Sequence, residues 1–275
     1  MIHIRKIFHP TDFSKTSEMA FAHALKLALA FEGSLSILHV DPPNTRKTWS
    51  QFPKVRETLS KWGLLEPNAS KEDLAALKLR IRKTIARGQD PEKAMLKHLE
   101  KHHTDLMVVA THKRQGLSRL FNPSIASSIA QKTEKMTLFL PEGVSGFVDK
   151  ESGHYNLKHI LIPVDHSPNP EVAFQAAKML QGLAPHKPEV TLFHVSNGDK
   201  SFPECPNIPS DWKKEMSSKN KSVPEHIFDE AAYRETNCIV MSTEGRNGLV
   251  EALLGSTAER VIQDAPCPVL AISAV

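Results

Sequence analysis

Two stretches in the second half of the chain hold residues able to grip a small anionic ligand. In the first, Pro163-Val164-Asp165-His166-Ser167, a short apolar run ends in an aspartate. A carboxylate at a strand end can accept hydrogen bonds from a sugar or a base. In the second, Met241-Ser242-Thr243-Glu244-Gly245 closes another apolar run, and Gly255-Ser256-Thr257 follows after a nine-residue gap. A glycine where a helix begins lets a phosphate approach the backbone. The free N–H groups and the positive end of the helix dipole then hold the anion, and serine and threonine hydroxyls can donate as well. The bland alternatives are that both glycines are plain turn residues and that Asp165 caps the helix after it. No Walker loop of the form GxxxxGK[ST] occurs.

Other candidate groups are weaker. His98 and His102 stand four apart on a helix-like segment, with His103 adjacent. That spacing can share a metal, but with no third ligand evident a solvated helix end is the better reading. His39 and His194 sit at matching strand ends and read as structural groups bonded to a neighbouring loop. Cys267, between Pro266 and Pro268, reads as packing. No catalytic residue and no metal ligand is assigned. No general base is evident beside the expected phosphates, Glu244 being the carboxylate to watch.

The elements that must position these groups occur twice. Ile7–Asp12 matches Leu161–Asp165, with Asp12 falling on Asp165, and Ser36–Val40 matches Thr191–Val195. Leu106–Thr111 matches Cys238–Thr243, and that register of 132 holds through Ser124/Ser256 and Leu138/Leu270. Matched blocks in one order mean duplication. The offset falls by 22 after the second strand, so the second half lacks a segment there, expected to be helical. Short apolar strands alternate with amphipathic helices in each half, which predicts a parallel sheet with helices on both faces. The expected division is 1–142, a linker 143–156 rich in glycine and polar residues, and 157–275.

Composition bounds the function. The chain has 275 residues, 40% hydrophobic and 24% charged, as expected of a soluble protein with one large or two ordinary domains. No apolar run approaches the ~20 residues that span a bilayer, so no membrane partner is expected. The first residues lack a leader's apolar stretch. Three cysteines are too few, and odd in number, for a disulfide framework, which suggests a cytoplasmic protein. The net charge is +4 and the pI about 8.9, but the basic residues are scattered. The densest stretch, Arg80-Ile81-Arg82-Lys83, has no interleaved aromatics, which argues against nucleic acid.

With the duplicated framework in place, the chain resembles a tandem universal stress protein, two copies covering nearly all of it. Nucleotide-binding members of that family carry a strand-end aspartate and the pattern G-x2-G-x9-G-[ST]. The second half reads Ser242-x2-Gly245-x9-Gly255-Ser256, departing at the first glycine. The resemblance implies two Rossmann-like α/β domains, each an open parallel sheet of strand order 3-2-1-4-5, joined as an intramolecular pseudo-dimer, with a homodimer as a further assembly. It implies a stress-response factor binding ATP or AMP, with magnesium accompanying the phosphates. Pro163, Asp165 and the backbone of Val195 would face the base and ribose, and Met241 and Ser242 would line the nucleotide. Gly245, Gly255, Ser256 and Thr257 would cradle the phosphates. An interaction scaffold with a decayed site and a weak ATPase are the competing readings. If position 242 needs a positive φ, its serine costs about 1–2 kcal/mol.

The first half reads Ala110-x2-Lys113-x9-Pro123-Ser124, so all three glycines are missing. Pro123 has no N–H to offer, and Asn122-Pro123 reads as an N-cap and first helical turn. Asp12 is expected to cap the helix after it, and this copy to be degenerate. The fifth strand is apolar in both copies, Met136–Leu140 and Pro268–Ile272, and an apolar edge needs cover. Leu138–Leu140 and Val269–Ile272 are expected to cover each other about a pseudo-twofold axis.

Overall fold

A computed structural model describes residues 2–41, 49–112, 123–198, 201–244 and 255–274. The first half runs β1 (Lys6–Pro10), α1 (Lys15–Ala30), β2 (Ser34–Asp41), α2 (Val55–Lys61), α3 (Lys71–Ala76), β3 (Arg80–Arg87), α4 (Pro91–Lys101), β4 (Leu106–Thr111), α5 (Pro123–Thr133) and β5 (Met136–Pro141). The second runs β6 (His159–Pro163), α6 (Glu171–Gln181), β7 (Glu189–Ser196), β8 (Lys213–Ser218), α7 (Val223–Tyr233), β9 (Cys238–Glu244), α8 (Gly255–Asp264) and β10 (Val269–Ala274). Between β2 and β3 the first half inserts α2 and α3. Between β7 and β8 the described residues form no helix, in line with the shorter second copy.

All ten strands lie in one sheet of order β3-β2-β1-β4-β5-β10-β9-β6-β7-β8. Each half contributes the order 3-2-1-4-5, with parallel pairing throughout. The protein is therefore two tandem Rossmann-like units. β1 and β4, central in the first half, bury almost every side chain because helices cover both faces. On one face α1, α2 and α6 pack over strand residues such as Leu35, Val108, Ile162 and Val240. On the other, α4, α5, α7 and α8 cover Phe8, Val109, Leu161 and Ile239.

The units meet at the fifth strands, as expected. β5 and β10 pair antiparallel, with Leu138 opposite Leu270, Phe139 opposite Val269 and Thr137 opposite Ala271. Leu138 and Leu270 are also the matched residues of the two copies, so the pseudo-twofold axis passes between them. This is the self-complementary geometry of a symmetric dimer, closed within one chain. Both helical faces of the core run unbroken across the joint. Because the joint is antiparallel, the strand ends of the two units open on opposite edges of the sheet.

The 143–156 segment is more than a polar tether. Phe147 and Val148 are buried, and Val148 bridges to Tyr155. The Val148 amide donates to His23 Nε2, and the Trp62 indole donates to the Lys150 carbonyl. Gly146 is required where the His23 ring lies: an added Cβ would come 2.0 Å from that ring.

Candidate functional site

β6 and β9 are neighbours in the sheet, and their carboxyl ends flank a cleft of about 300 Å³. This is the switch point where strand order reverses, the usual ligand position in open α/β sheets. Of the residues singled out in sequence, Pro163, Asp165, Val195, Met241, Ser242 and Thr257 line it. Val223 and Ile227 of α7 add apolar wall, which sequence reasoning missed, although Ile227 stands on a patterned helix face. Gly255 and Ser256 form the first turn of α8, and Gly245 lies outside the described residues.

The polar groups of the cleft differ in exposure. The Asp165 side chain is 65% exposed, and its Oδ1 accepts from the His166 amide at 2.8 Å. Ser242 Oγ is buried and has no hydrogen-bond partner among the described residues. A buried hydroxyl left unpaired costs about 1–3 kcal/mol, so a ligand that engages it recovers that cost. Ser242 lies in extended strand, opposite Ile272, and not in the left-handed region. The strain considered for a serine there is therefore not incurred. Glu244 is exposed and also lines the cleft. The cleft thus combines apolar walls, the two exposed carboxylates of Asp165 and Glu244, and Thr257 from the first turns of α8.

The first half treats its aspartate differently. Asp12 is not the N-cap of α1. That role falls to Ser14, whose Oγ accepts from the Ser17 amide at 3.1 Å. Asp12 Oδ1 accepts from the Ser14 amide at 2.9 Å, and Oδ2 takes the His112 Nε2 proton at 3.2 Å. That hydrogen bond to Asp12 raises the His112 pKa against the opposing effect of burial, helped by Glu142, whose carboxylate lies 3.5 Å from Nδ1. The Asp12 side chain is only 5% exposed. Asp165 caps no helix either, since α6 begins at Glu171 behind Pro170. α5 begins at Pro123, as expected; Asn122 and Lys113 lie outside the described residues. The first half has a cleft of about 340 Å³, but it lies against Phe13, Phe21, Phe52 and Lys150 and not at the start of α5.

The matching histidines do the same work. His39 Nδ1 donates to the Thr11 carbonyl at 2.7 Å, and His194 Nδ1 to the Val164 carbonyl at 3.0 Å. The structural reading of both holds for these contacts. His98, His102 and His103 do not all lie on one helix as the spacing suggests. His98 lies on α4 with Nε2 3.1 Å from Ser36 Oγ, His102 is the C-cap, and His103 lies beyond it against Asp105. Burial, with the nearby His102 and Arg82 charges, lowers the His98 pKa to about 4. Cys267 is buried among core residues, and burial pushes its thiol up to about 12, as suits a packing residue.

A duplicated five-stranded parallel unit with a cleft at its switch point defines a Rossmann-like class of fold. The sequence profile of the universal stress protein family matches residues 3–141 and 213–273, and the chain belongs to that family. Universal stress protein MJ0531 of Methanocaldococcus jannaschii is 35% identical over 77 residues, 27% of this chain and 45% of that protein. The match thus spans less than half of that relative. The crystal structure of a universal stress protein from Archaeoglobus fulgidus DSM 4304 has the same fold, with a TM-score of 0.61 at 16% identity, covering 98% of this chain and 96% of that one. So does a protein of unknown function from Pseudomonas aeruginosa PAO1, with a TM-score of 0.62 at 15% identity, covering 98% and 93%. Among the described residues no helix is long and apolar enough to cross a membrane.

Proposed function

We propose that the chain is a cytoplasmic stress-response factor that binds ATP or AMP in its second half, with magnesium accompanying the phosphates. In this reading residues 1–142 are a domain that has given up its ligand, 143–156 connect, and 157–275 are the binding domain. The contrast between the two aspartates carries the proposal. Asp12 is buried and spent on Ser14 and His112, while Asp165 stands 65% exposed on a cleft. The adenine would lie against Val195, Ile227 and Met241, with Asp165 on the sugar or base side. The phosphates would take the amides of Gly255 and Ser256 and the Thr257 hydroxyl.

Titration calorimetry with ATP tests this. Gly245→Lys with Gly255→Pro writes into the second half what the first half carries at Lys113 and Pro123. Hydrogen bonds to a charged group contribute about 1.5–3 kcal/mol each, so losing two weakens binding about a hundredfold or more. Asp12→Ala should change affinity little. Unchanged affinity in the double variant, or binding abolished by Asp12→Ala, refutes the assignment. An interaction scaffold would retain no nucleotide on purification, and a mass spectrum of released ligand decides that point. Glu244 on the cleft keeps weak ATP hydrolysis as a further reading, tested by turnover against a Gly245 variant.

A further inference from the structure

Asp165 belongs to a second constellation, formed with His166 and His194. Each of the three offers one ligand atom, and these atoms lie within 4.8 Å of one another. His194 is the fixed member, 4% exposed, with its ring edge-on to Phe202 at 6.0 Å between centroids. Its Nδ1 must carry the proton, because it donates to the Val164 carbonyl. Nδ1 is also the ring nitrogen 3.9 Å from Asp165 Oδ1, so a metal would be taken by the unprotonated Nε2, with the carboxylate swinging along the ring edge to meet it and the Nδ1 bond to Val164 holding the ring. Asp165 and His166 are the adjustable members. Both are exposed, and the His166 ring stands edge-on to His194 at 5.7 Å. Closing the set to the ~3.3 Å ligand–ligand separation of a tetrahedral site calls for rotamer changes at these two surface residues, whose exposure leaves room for them.

We propose that Asp165, His166 and His194 bind a divalent transition metal of the zinc class. Two imidazoles and a carboxylate favour such borderline ions over magnesium and calcium, which prefer all-oxygen sets. This departs from the sequence expectation of no metal ligand. Three protein ligands leave one position open to water or an exogenous group. Asp165 also lines the cleft, whereas the site is defined without any nucleotide in it.

The first half is a built-in control. Asp12, Phe13 and His39 hold the matching positions, and His39 makes the same Nδ1 bond to a carbonyl. Where the second half has an imidazole, Phe13 lays its ring on His39, centroids 4.2 Å apart and planes 27° from parallel. Asp12 is already held by Ser14 and His112. One copy therefore has a metal set and the other an apolar lid on the same frame.

The full chain, purified without a histidine tag and stripped by a chelator, is titrated with Zn²⁺ against a chromophoric competitor. One equivalent should bind at micromolar or tighter affinity, and Co²⁺ should give the d–d absorption of a nitrogen–oxygen site. His166→Phe, copying the first half, should weaken Zn²⁺ binding about a hundredfold or more, since even outer-shell losses cost 10–100-fold. His166 is exposed, so that variant should melt as the parent does without metal. His98→Ala should leave affinity unchanged. Failure of the parent chain to take up an equivalent, undiminished binding by His166→Phe, or loss on His98→Ala would overturn the proposal.

Discussion

At the scale of residues, position 242 separates sequence reasoning from geometry. The family pattern has glycine there, and a serine raises the question of backbone strain. The structure removes it, because Ser242 is extended and paired in β9. What the serine adds is a buried hydroxyl with no partner among the described residues, on a residue that lines the cleft. Ser242→Ala should therefore weaken ATP binding by about fivefold, the worth of one hydrogen bond of about 1 kcal/mol. Ser242→Gly should not tighten it. A tenfold gain for the glycine variant in calorimetry would restore the strain explanation. Part of the cleft was legible, since Asp165, Ser242 and Thr257 announce themselves by type and spacing. Val223 and Ile227 were not, because an apolar residue on an amphipathic helix looks the same over a core as over a ligand. The fate of Asp12 was hidden for a different reason. Its partner His112 is a hundred residues away in sequence, and no local pattern links them.

At the scale of elements, the joint between β5 and β10 is the feature most directly written in the chain. Two edge strands with no charge to deter pairing needed cover, and they cover each other around Leu138 and Leu270. Each leucine is buried, and burying one contributes about 1.5–3 kcal/mol. Leu270→Lys loses that and places an ammonium at the symmetry centre, so both halves should loosen together. Hydrogen exchange read by mass spectrometry should show protection falling in β4 as well as β9. A loss confined to the second half would mean that the units fold independently of the joint. The connector was less legible. Its glycines and polar residues read as a tether, and only two side chains, Phe147 and Val148, give away that it is packed. The anchor is His23 on α1, far away in sequence, which burial holds neutral with a pKa of about 4.

At the scale of the whole molecule, buried imidazoles set the response to acid. Burial lowers His9, His23, His98 and His159 to about 4 each, against about 6.5 in an unfolded chain. A group lowered in the folded state contributes stability that is complete above pH 6.5 and is lost as pH falls toward 4. His112 works the other way, its raised value contributing below pH 6.5 and fading as pH rises through it. Four groups outweigh one, so the melting temperature should fall steadily from pH 6.5 to 4.5 in scanning calorimetry. A flat or rising profile would contradict the neutral assignment. The pseudo-twofold carries a last consequence, for inheritance. A symmetric pair of separate chains shares one gene, so a proline at a helix start or a phenylalanine beside a histidine would strike both partners at once. Fusion gives each copy its own codons. One copy can then take on Phe13, His112 and Pro123 while the other keeps His166 and Gly255 at the matching places, each under its own selection.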